Sequence, residues 1–87
     1  MNEKLQETLK ALREEIDNLS IEEKESKARL EELVEKLELK LERPEDTIHH
    51  QSLTDGLSES LTYFEVSHPR ITGVLNEIMM TLSNMGI

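Results

Sequence analysis

Three histidines, His49, His50 and His68, are the only side chains in this 87-residue chain whose ordinary pKa lies near neutrality. Imidazole proton transfer or metal ligation would have to start from them. His49 and His50 are adjacent, and on a helix neighbours point about 100° apart, so the two could share a metal only from a loop. No cysteine is present, and no His-x-x-x-His or Glu-x-x-His pair accompanies His49 and His50, so their spacing specifies no metal centre and no cofactor. His68 precedes Pro69 and reads as the residue that enters a helix, its ring capping an N–H or packing on Phe64. Carboxylate pairs such as Glu14-Glu15 and Glu31-Glu32 could do acid–base work only in a cleft that separates their pKa values. Small amphipathic helices make no obvious cleft. Serines at 20, 26, 52, 58, 60, 67 and 83 lack a G-x-S-x-G elbow and a histidine at a recognisable offset, and three scattered glycines make no phosphate loop. With these ingredients missing, the expectation is a protein that is not an enzyme.

The elements that carry these groups read as helices. Pro69 suits the first turn of a helix, where its missing N–H costs nothing. After it Ile71, Leu75, Ile78, Leu82 and Met85 recur at spacings of four and three, one stripe of a helix over 69–84 that Val74 and Met79 widen. Met80 lies off the stripe and is the residue to watch for an exposed contact, although a methionine here is more often core or dimer seam. Gly86 can take a left-handed cap, with Asn84 as the fallback and Ile87 folding back as its hydrophobic partner.

Near the N-terminus Leu5, Leu9, Leu12, Ile16 and Leu19 keep the period of a coiled-coil seam. Ser20 and Glu23 then form a candidate capping box, and Asn18 can cap the preceding helix. Helix, tight turn, helix follows, over 3–18 and 21–42, the second with Leu30, Leu33, Val34, Leu37 and Leu41 on its apolar side. A rival reading is one unbroken helix from about residue 3 to 42. The heptad count continued past Leu19 falls on Glu23, Ser26, Leu30, Leu33, Leu37 and Lys40, so the phase survives the supposed turn. The local capping signals favour the break. Glu23 to Lys27, Glu25 to Arg29 and Glu32 to Lys36 are acid-before-base pairs at the better helical spacing, on a face that reads as solvated.

Arg43-Pro44 stops the second helix, and 44–51 is the linker. Ser52 and Asp55 offer a weaker capping box for a third helix over 52–66, striped by Leu53, Leu57, Leu61 and Phe64. Gly56 and the serines lower its intrinsic propensity, so it should lean on tertiary packing and open before the second helix. The chain is thus a single small all-α domain over 1–87: a charged, Leu-rich helical hairpin over 1–43 and a shorter helix pair over 52–87.

Phe64-Glu65, Ser67-His68-Pro69-Arg70 and the ending Leu82-Ser83-Asn84-Met85-Gly86-Ile87, with an Arg43-Pro44-Glu45 step upstream, resemble a small bacterial family catalogued as domain of unknown function 4404. The resemblance covers nearly the whole chain. It implies a helical fold and a bacterial origin, and supplies no activity, cofactor or catalytic residue.

Composition bounds the partners. Ten basic and 19 acidic residues give a net charge of −9, which repels phosphate backbones and anionic lipid surfaces, so neither nucleic acid nor membrane is an expected partner. No signal peptide is evident and no apolar run approaches the roughly 18 residues of a span, so the cytoplasm is the default. Only Tyr63 and Phe64 are aromatic, and a chain this short buries only about 60–65% of its unfolded surface. Few apolar residues can be left in water, which favours a homo-oligomer, a dimer above all, that completes the bundle. The expected packing or interface set is Leu5, Leu9, Leu12, Ile16, Leu30, Leu37, Phe64, His68, Pro69, Ile71, Leu75, Ile78, Met80 and Leu82. Protein association is therefore the expected role. The alternatives are an acidic regulator that occupies a basic surface of a nucleic-acid-binding partner, and a small hydrolase or metal carrier.

Overall fold

In the computed structural model, which describes residues 3–43 and 50–84, the chain forms four helices: α1 (Glu3–Asp17), α2 (Lys24–Glu42), α3 (His50–Phe64) and α4 (Pro69–Asn84). Each buries a row spaced four and three residues apart. The rows are Leu5, Leu9, Leu12 and Ile16 on α1, and Ser26, Leu30, Leu33, Leu37 and Lys40 on α2. On α3 and α4 they are Leu53, Leu57, Ser60 and Phe64, then Ile71, Leu75, Ile78 and Leu82. Four narrow seams of this kind close on one another as a bundle.

α1 packs on α2 and α4, and α3 packs on the same two, while α1 and α3, like α2 and α4, are not neighbours. Successive helices run antiparallel. Arg29, early in α2, lies over the ring of Tyr63, late in α3, and His50 at the start of α3 faces Met79 and Leu82 near the end of α4. The 18–23 and 65–68 connections therefore share one end of the bundle, and the start of α3 and end of α4 lie at the other.

The single 40-residue helix is excluded, because the chain turns back after Asp17. Its phase argument was half right in content: Ser26 and Lys40, polar seam positions in that count, are both buried. α2 begins at Lys24 rather than at 21, since the Ser20–Glu23 segment closes a turn of its own, with the Glu23 N–H on the Ser20 carbonyl at 3.0 Å. α3 runs two residues earlier than 52–66 at both ends. His50 and Gln51 belong to it, and Asp55, instead of capping Ser52, accepts from the Gln51 amide at 2.9 Å. Residues 44–49 of the linker, the stripe residue Met85 and the expected cap at Gly86 with Ile87 lie outside the described residues.

The expectation of a dimer rested on stripes that one chain could not cover. Among the described residues all fourteen buried hydrophobics, Phe64 with no exposed surface among them, form one cluster inside a single chain, so closing the core needs no second copy.

Candidate functional site

Among the described residues, side-chain chemistry concentrates where the two connections meet. His68 ends the 65–68 connection. Its N–H donates to the Phe64 carbonyl at 2.8 Å, and its own carbonyl accepts the Thr72 N–H at 3.0 Å, so its backbone opens α4. Glu23 does the same for α2, its carbonyl accepting the Lys27 N–H at 3.0 Å. The two side chains meet, His68 Nε2 to Glu23 Oε1, at 2.6 Å. An ionised carboxylate only accepts, so Nε2 carries the proton that is donated. On the other side Nδ1 lies 2.8 Å from the Ser67 hydroxyl, which donates to it whenever the ring is neutral. The ring stands edge-on to Phe64, centroids 5.4 Å apart, and Phe64 meets Tyr63 in the same manner at 4.8 Å.

Ser20 completes the cluster. Its N–H donates to Glu23 Oε2 at 3.2 Å, the carboxylate arm of the capping box, while its hydroxyl stays with the same oxygen at 3.5 Å and caps nothing. The Ser20 amide first, and His68 next, hold the Glu23 carboxyl below its ordinary value of 4.5, against a small opposing effect of burial.

Hydroxyl, imidazole and carboxylate in a row have the connectivity of a nucleophile relay. The same three groups also have mechanical places in the fold. Ser67 lies on an exposed connection next to the ring in sequence, and the contact of the ring with Glu23 joins the residues just ahead of two helices that are otherwise not neighbours. The groove beside it, about 420 Å³, is open and walled by Leu19, Pro69 and Ile71, with Glu15 and Arg70 at its edge.

His50 lies at the opposite end, on a groove of about 390 Å³ shared with Thr54, Asn76, Met79 and Met80. The described histidines are thus not gathered, and His49 lies outside the described residues. Among the described residues no group of three His, Cys, Asp or Glu side chains could hold a metal ion, and no helix is long and apolar enough to cross a membrane.

Of the expected interface set, Leu5, Leu9, Leu12, Ile16, Leu30, Leu37, Phe64, Ile71, Leu75, Ile78 and Leu82 are internal; Pro69 is exposed and His68 half-buried. Met80 faces outward, 66% exposed. Two of the three acid–base pairs form, Glu25 with Arg29 at 3.9 Å and Glu32 with Lys36 at 3.8 Å, while Glu23 turns to His68. The sequence reading missed the Ser67–His68–Glu23 row. The signals it had were the adjacency of Ser67 to His68 and the helix-start roles already assigned to His68 and Glu23.

The family model for a domain of unknown function (DUF4404) matches residues 5–87. The chain belongs to this family. The match takes in α1 from Leu5 onward, the other three helices and both connections that form the cluster. No curated protein and no solved structure matches the chain.

Proposed function

We propose that this DUF4404 member works without catalysis, by non-covalent association of its bundle surface with another polypeptide. The observation that carries this reading is the division of the apolar residues. The stripes are used up inside one chain, yet Ile21, Leu39, Tyr63, Val66 and Met80 remain exposed on a scaffold that needs none of them for its core. A homodimer would use these residues, not the stripes. Against it stands the repulsion of two chains of net charge −9, which favours a basic partner and with it the acidic-regulator reading.

The test has three parts. Light scattering across micromolar concentrations reads self-association; affinity capture with the full chain over a salt series reads partners; metal analysis with a broad substrate screen reads the small hydrolase or metal carrier. Partners that are basic and lost steeply with salt support the reading. A stoichiometric metal or a turned-over substrate would replace it.

A further inference from the structure

Among the described residues the two most exposed large aliphatics, Ile21 at 90% and Val66 at 89%, lie in the two connections that share one end of the bundle. Connections of this kind ordinarily carry Gly, Asn, Asp, Ser or Pro, each of which has a turn-making reason to be there. A β-branched aliphatic in either connection has no such reason, and neither side chain here covers core. Ile21 stands two residues before Glu23 and Val66 two before His68, so the 2.6 Å contact between Glu23 and His68 holds both aliphatic residues at one tip. The groove walled by Leu19, Pro69 and Ile71 opens beside that contact.

The surround is acidic. Residues 14–25 and 65–70, the chain that forms the tip, hold seven acidic side chains (Glu14, Glu15, Asp17, Glu22, Glu23, Glu25 and Glu65) against Lys24 and Arg70, a net of −5 out of the −9 of the whole chain. We infer that this tip is the docking surface for a basic amphipathic helix of a partner protein, whose aliphatic face covers Ile21 and Val66 and whose Lys and Arg residues meet the acidic rim. This deepens the proposed association and rests on it. Charge selects the occupant: a second copy would bring another −5 to the same place, whereas a cationic helix removes the repulsion and gains from the aliphatic contact.

The test uses the full chain, isotope-labelled, titrated with a synthetic peptide carrying leucines on one helical face and lysines on the other. A scrambled peptide of the same composition and a version with glutamate for lysine are the controls. Amide shifts confined to residues 14–25 and 65–71, with weaker binding of both controls, are expected. The Ile21→Ser, Val66→Ser double variant should lose at least tenfold in affinity with an unchanged thermal melt, since both side chains are on the surface. Shifts spread along the acidic faces of α1 before residue 14 and of α2 beyond residue 25, or equal affinity in the double variant, would overturn the inference. So would a dimer of the parent protein that the double variant dissolves, which would give the tip to a second copy. If partners captured by the parent are retained by the double variant, the association stands and the docking surface is wrong.

Discussion

Two glycines in the middle of helices offer a matched test of how tightly the bundle is packed. A methyl group built on Gly73, in α4, meets nothing within 4 Å. On Gly56, in α3, the same methyl comes within 3.2 Å of Leu33 Cδ2 and 3.5 Å of Lys36 Nζ. Alanine in a helix interior is favoured over glycine by about 0.8–1.0 kcal/mol. Gly73→Ala should therefore stabilise by nearly that amount, which for a domain of this size raises the melting temperature by about 4–8 °C. At Gly56 the same gain is opposed, because Leu33 is only 3% exposed and has to shift by a few tenths of an ångström inside packed surroundings. Its net gain should fall below half of that at Gly73. Urea titrations and thermal melts followed by helical circular dichroism read both variants on the same scale. If Gly56→Ala stabilised as much as Gly73→Ala, the close approach of α3 to α2 would be refuted. If Gly73→Ala destabilised, so would be the open face assigned to α4.

Phe64→Ala should cost about 3–5 kcal/mol, a large share of a small domain's stability, and shift the urea midpoint accordingly, whereas Phe64→Leu retains a folded bundle. Because the Glu23 carboxyl is held below 4.5 in the folded state, its contribution is fully present above the unfolded-state value and is lost as pH falls through the lower folded value. Carboxyl NMR of Glu23 should give a midpoint under 4.5. His68→Ala should raise that midpoint only in part, since the Ser20 amide is the larger cause; a parent midpoint at or above 4.5 would contradict the geometry. In native-state hydrogen exchange the amides of α3, which carries Gly56 and three serines, should open ahead of those of α2, and equal protection would show that propensity does not set the order.

Where the sequence was read by period, the structure follows it closely, because a four-and-three spacing leaves a helix only one way to hide its apolar side. α4 spans Pro69–Asn84, as Pro69 and the Ile71 stripe require. The four and three count even placed Ser26 and Lys40 in the seam of α2, where side-chain type alone would have put them outside. What was not legible depends on contacts between distant residues. Glu23 has Lys27 at an ideal helical spacing, and nothing local says that His68, 45 positions away, takes it instead. The start of α2 was displaced for a related reason: Ser20 and Glu23 have the residue types of a capping box, but the pair serves the turn and its carboxylate serves a second helix. The dimer was expected from an area argument that took the stripes to need a second chain; they close on one another within one, so that argument no longer bears on self-association.

The contact between Glu23 and His68 matters for function because of what it joins. In a ring of four antiparallel helices the diagonal partners are not packed together, so their ends can drift relative to one another unless something other than the core ties them. Here the tie runs between the residues just ahead of α2 and α4, through a ring braced on the fully buried Phe64. Fixing that diagonal fixes the separation of the two connections, and with it the relative placement of Ile21 and Val66. A helix that docks on both residues then meets a preset surface and spends little of its binding free energy on ordering it. Breaking the tie with His68→Ala should accordingly leave the core closed but weaken peptide binding at the tip, mainly by speeding dissociation. Unchanged dissociation in that variant would mean that the core alone holds the tip in place and that the contact between the two helix starts is only a cap.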